Sequence, residues 1–187
     1  MFMQRSRYSA LLQLFLAITC FAWVTTSARA SHHAYKMGAN QVRVDLPSNW
    51  KAVPEIFGLE LAFVGPMLRG SRPSLSITDL GLAGASLQEK DPQDQAREYA
   101  EGRKRWLQKK GGRAISFDDP QKVQWSKNVQ VHSMGVRYEI AGVEVVERSY
   151  TFFCKKSAYH VKTLLHAAVE REHEATVLKV VQSLKCL

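Results

Sequence analysis

Between Gln41 and Leu46 apolar and polar positions alternate, with Val42, Val44 and Leu46 on one side and Arg43 and Asp45 on the other. That period of two predicts a strand with one buried face. Pro47-Ser48-Asn49 then makes a turn ahead of Trp50. Leu59–Val64 and Ser74–Leu80 read as two further strands, separated by the Gly65-Pro66 and Gly70–Pro73 breaks. Ser31–Ala39 is polar and reads as a loose lead-in, and Gly81–Ser86 reads as a loop. From Asp91 to Lys110 the period lengthens to that of a helix. Ala96, Tyr99, Ala100, Trp106 and Leu107 form its expected core-facing stripe. Asp91 is a suitable N-cap, Pro92 suits the first helical position, and Gly111-Gly112 ends the run. Gly102 interrupts it at a cost of about 1 kcal/mol.

The second half is rich in β pattern. Strands are expected at Arg113–Phe117, from Val123–Gln124 through Asn128–Ile140, at Val143–Phe153 and at Ala158–His166. Ala141-Gly142 suits a hairpin turn. In Val143–Phe153 the alternation runs Val143, Val145, then Tyr150, Phe152, which suggests a slip near Val146. A closing helix from about Val169 to Leu184 would bury Val177, Val180, Val181 and Leu184. No internal repeat or linker interrupts this order. The expected fold is α+β, a single domain over residues 40–187 with a largely antiparallel sheet covered by helices.

Residues 1–30 follow a different pattern. Arg5 and Arg7 precede an apolar run of about 14 residues, and Ala28 and Ala30 then occupy the small-residue positions read by a signal peptidase. The run is shorter than the ~20 residues a spanning helix requires. A cleaved export signal is the expectation, with periplasmic or secreted location and no stable membrane span afterwards. A lipid-anchored alternative would use Cys20, but Thr19 before it is not the small residue that route needs. Cleavage after Ala30 lowers the charge from +9 to +6 by removing Arg5, Arg7 and Arg29. It also leaves Cys154 and Cys186, a candidate disulfide in an oxidising compartment, or else a buried thiol and an idle one.

The early strand leading into Leu46-Pro47-Ser48-Asn49-Trp50, the short strand Ser74-Leu75-Ser76-Ile77, the middle helix, the late strands and the closing Val180-Val181-Gln182-Ser183-Leu184 together resemble the Mog1p/PsbP-like superfamily. The resemblance implies an α/β/α sandwich around an antiparallel sheet. It also implies non-enzymatic binding and assembly roles of the kind found in small bacterial envelope proteins. It transfers no catalytic residues and no cofactor.

Arg103, Lys104, Arg105, Lys109, Lys110 and Arg113 form the main candidate partner patch, suited to an envelope protein or an anionic surface. The same residues also complement the dipole of a helix that opens with Asp91, Asp94, Glu98 and Glu101. Arg97–Glu101 and Glu101–Arg105 are spaced to pair along it. Nucleic acid is not expected, since no recognised binding motif is present. His166, Glu170 and His173 would share a face only on a continuous helix. Ser31-His32-His33, at a freed amino terminus, would offer an amine, amides and an imidazole in the planar array copper or nickel prefers. A copper or small-molecule carrier is therefore the alternative to a binding role. Gly-x-Ser-x-Gly, phosphate-loop and Rossmann patterns are absent, and Cys154 sits in an apolar run unfavourable to a thiolate. An enzyme is not expected.

Overall fold

The computed structural model describes residues 31–38, 40–56, 59–81, 90–126, 129–154 and 157–187. The expected signal segment, with Arg5, Arg7, Cys20, Ala28 and Ala30, lies outside the described residues, as do positions 82–86 of the expected Gly81–Ser86 loop.

Two antiparallel sheets carry the fold. The smaller has the order β1-β2-β11, formed by Ser31–Met37 (β1), Asn40–Leu46 (β2) and Lys185–Cys186 (β11). The larger, eight-stranded among the described residues, runs β3-β4-β5-β10-β9-β8-β6, with β7 also paired to β8. Its strands are Lys51–Ile56 (β3), Leu59–Val64 (β4), Ser74–Asp79 (β5), Arg113–Phe117 (β6), Gln121–Ser126 (β7), Val129–Ile140 (β8), Val143–Cys154 (β9) and Ser157–His166 (β10). Helix α1 spans Pro92–Lys109 and helix α2 spans Glu170–Gln182. The architecture is the α+β sandwich expected from the pattern.

Several elements differ from expectation. Ser31–Met37 is not a loose lead-in but β1, paired residue for residue with β2 from Ser31↔Leu46 to Met37↔Asn40. It is exposed along most of its length, so its sequence shows no buried face. Lys51–Ile56 adds β3 at the sheet edge, the position where a strand tolerates Pro54. The segment read as one strand through Asn128 is a hairpin of β7 and β8, with Gln121 opposite Ser133.

The apparent slip in β9 is a change of burial between faces. The β8–β9 and β9–β10 registers run without a shift, so Val143, Val145, Glu147, Ser149 and Thr151 share one face. Val146, Arg148, Tyr150 and Phe152 share the other. Both faces are covered over part of the strand, and apolar residues therefore occur in both phases. The Ala141-Gly142 turn has φ of 51° and 76°, the two positive values a tight two-residue hairpin requires.

The main core lies between the face of the large sheet bearing Phe63, Ile77, Phe152 and Val161, helix α2 through Val177, Val180 and Val181, and the small sheet through Val42 and Val44. A second core forms on the opposite face, where Leu107 of α1 meets Val136 and Tyr138. Asp91 caps α1 by accepting from the Gln93 N–H at 2.9 Å, with Pro92 behind it. Gly111, at φ 70°, ends the helix, and the Gly112 N–H bonds back to the Leu107 carbonyl at 2.9 Å. The expected stripe is corrected in part: α1 buries Leu107 and Gln95, while Trp106 stands 36% exposed.

Candidate functional site

An open cleft of about 450 Å³ lies on the α2 face of the large sheet, between the β7–β8–β9 strands and α2. Its aromatic part is Trp125 against Tyr150, with ring centroids 5.5 Å apart and planes inclined by 56°. Asp118, Gln121 and Arg148 line one side, and Leu178 and Gln182 of α2 line the other. Leu178 is 38% exposed there, an apolar contact left open beside polar groups.

Arg148 organises the cleft. Its guanidinium reaches Glu174 at 2.5 Å, Glu170 at 3.5 Å and Asp118 at 3.8 Å, so it ties β9 to the first turns of α2. Burial pulls its pKa down, but Glu174 above all, with Tyr150 and Asp118, outweighs burial and raises it overall. Burial pushes the Tyr150 phenol up, with Arg148 opposing. Both groups keep their ordinary charge state near neutrality. The cleft thus offers fixed donors, fixed acceptors and an aromatic surface, which is the equipment of binding. Tyr150 is buried in the main core and Trp125 packs against it; only the strand register brings them beside Arg148, so no local sequence signal marks the cleft.

The opposite face carries a polar network under α1. Glu147, only 1% exposed, accepts from the Tyr99 hydroxyl at 3.0 Å and pairs with Arg103. Burial pushes the Tyr99 phenol up to about 12, with Arg103 opposing, so it stays a donor. Beside them Ser149 bonds to His160 Nε2, and Gln95 bonds to the buried His132 Nδ1 at 3.1 Å. Burial, reinforced by Lys162 and Arg103, holds His160 down at about 4 and therefore neutral.

The network divides the candidate patch. Arg103 is 18% exposed in its side chain and committed to Glu147, with its guanidinium also 4.7 Å from the Trp106 ring centroid. It is a positioning group under the helix. Lys104, Arg105, Lys109, Lys110 and Arg113 remain exposed.

The histidine readings separate as well. His166 ends β10, and its Nδ1 accepts from the Ala168 N–H at 3.1 Å, opening the short 3-10 turn Ala167–Val169. Glu170 instead pairs with Arg137 at 2.5 Å, and His173 is buried in α2. The three do not share a continuous helix. His32 bonds to Asp45 at 2.6 Å and His33 to the Ser31 hydroxyl at 2.7 Å. Their backbone lies in the β1–β2 register, whereas the planar copper array would need those amides for the metal. Cys154 and Cys186 are joined as a disulfide between the end of β9 and β11, with Cα atoms 5.8 Å apart.

No protein-family model matches the chain, and no curated protein matches it. Solved structures do. Cyanobacterial PsbP (CyanoP) from Synechocystis sp. PCC 6803 superposes with a TM-score of 0.60 at 10% identity, covering 84% of this chain and 94% of that one. The chain has the Mog1p/PsbP-like fold. LpqN, involved in cell envelope biogenesis of Mycobacterium tuberculosis, gives a TM-score of 0.52 at 12% identity, covering 83% of this chain and 90% of that one. The Saccharomyces cerevisiae Ran-binding protein Mog1p stands further off, at a TM-score of 0.47 and 9% identity over 83% of this chain and 95% of that one. At these identities the Mog1p/PsbP-like likeness concerns the fold.

Proposed function

We propose that this protein is an exported, non-enzymatic binding or assembly-support domain of the cell envelope. The observation that carries the reading is the cleft of Trp125, Tyr150 and Arg148 beside α2. Arg148 is held by its ion pairs and Trp125 and Tyr150 by packing against each other and the core before any partner arrives, so little ordering cost attends docking. Its open shape and mixed lining suit a segment of another protein more than an enclosed small molecule. The charge, apolar run and small-residue exit of residues 1–30 support export. LpqN, of the same fold, is described as involved in cell envelope biogenesis, which makes an envelope role a natural extension.

The test is site-specific photo-crosslinking in intact cells. A photoreactive residue at Leu178, in the cleft, is compared with one at Met67, which is 59% exposed and outside it. A discrete adduct with an envelope protein from Leu178 alone is expected, and Trp125→Ala should reduce it. Identical adducts from both positions, or a protein retained in the cytoplasm, would defeat the reading.

A further inference from the structure

The far end of α1 brings exposed cations and exposed apolar side chains together, on the sheet face opposite the cleft. Trp106 stands edge-on against Tyr138, with ring centroids 6.1 Å apart. Tyr138 pairs across the sheet with Val145, and Val143, on the same face of β9, is 39% exposed. Lys104, Arg105, Lys109 and Lys110 all reach solvent at this end. The acid facing them is Glu101, 3.9 Å from Arg105; Arg113 stands on the other face of the sheet, opposite Glu139 in the register and paired with it at 2.8 Å. Four cations against this one carboxylate leave a local surplus of three. Lys109 and Lys110 form no ion pair with a described residue.

The helix dipole explains why cations gather at a helix's last turn. It does not explain an indole and a valine left in solvent among them. We propose that this end of α1 docks on an anionic membrane surface. The Trp106 indole enters the headgroup layer, where an amphipathic ring is at home, and Lys109, Lys110 and their neighbours supply attraction to acidic phospholipid. Arg103 sets the pose: its pairing with Glu147 fixes α1 on the sheet, and its guanidinium over the indole limits how Trp106 turns. Because the cleft opens on the other face, a membrane-docked molecule still presents it to a partner. The docking surface does not depend on the cleft or its partner.

Co-sedimentation with vesicles tests this, using the protein as the host cell processes it. Vesicles of phosphatidylglycerol and phosphatidylcholine in equal parts are compared with phosphatidylcholine alone. Binding to the first only, weakening as salt rises, is expected. Each cation removed should lower the partition coefficient about fivefold, so Lys109→Ser with Lys110→Ser should lower it roughly 25-fold. Both lysines are exposed, and an unchanged melting temperature checks that the variant is folded. Trp106→Ser should lower binding while leaving the salt dependence intact. Equal binding to both vesicles, or undiminished binding of the double-lysine variant, overturns the proposal. So does retention on polyaspartate beads without vesicle binding, which would make the surface an acidic-polypeptide site.

Discussion

Replacing both Cys154 and Cys186 with alanine is the perturbation whose size follows most directly from the architecture. The bond closes a loop with a sequence separation of 32, containing β10, the 3-10 turn, α2 and the return into β11. Chain-entropy loss in the unfolded state for a loop of that length corresponds to roughly 4 kcal/mol. Removing the 1%-exposed Cys154 sulfur also leaves a small void, which adds to the loss rather than offsetting it. For a domain of this size, 1 kcal/mol moves the melting temperature by about 2–4 °C. The double variant should therefore melt roughly 8–16 °C below the parent. Calorimetry under non-reducing conditions measures this, and the parent melted with reductant should approach the variant. A shift under about 3 °C, together with a parent melt indifferent to reductant, would refute the reasoning.

The buried pair under α1 makes a second prediction. Glu147→Ala strands the Arg103 guanidinium beneath the helix and should cost roughly 3–5 kcal/mol in urea melts. Adding Arg103→Met should recover more than half, and no recovery would argue against coupling between them. His160 gives a pH dependence. Its folded pKa of about 4 lies below the ordinary histidine value, so the unfolded chain takes up a proton first as pH falls. Its contribution is complete above about pH 6.5 and is lost as pH drops toward 4, by up to about 3 kcal/mol. His160→Gln should flatten that limb of the urea-stability profile, and parallel profiles for parent and variant would exclude His160 as its source.

Most of the framework was legible because burial left a period in the chain. Val42, Val44 and Leu46 revealed β2, and the flanking Asp91-Pro92 and Gly111-Gly112 bounded α1. Two segments without a visible period escaped: β1, exposed over most of its length, forms because β2 offers it a full register, and β3 is an edge strand interrupted by Pro54. Trp106 falls in the expected core stripe yet stands exposed, because helical spacing marks a stripe without saying where the sheet beneath it ends. The cleft was hardest to foresee, since Trp125, Arg148 and Leu178 come from three elements and meet only through pairing. Glu147 sits within an alternating strand, where nothing local distinguishes a solvent-facing carboxylate from one under a helix.

The smaller sheet imposes an order of events on the chain. Strand β2 lies between β1, directly before it in sequence, and the distant β11, and the Leu187 N–H bonds to the Gln41 carbonyl at 3.0 Å. One partner is thus local and the other is reached only after the large sheet and α2 have been laid down in sequence. The hairpin of β1 and β2 can form from neighbouring residues, but the other edge of β2 stays open until β11 returns to it. The disulfide fastens that return, since Cys186 lies in β11 and Cys154 at the end of β9. A molecule in which β11 comes loose would keep nearly the whole core and still leave this edge available to a stray strand.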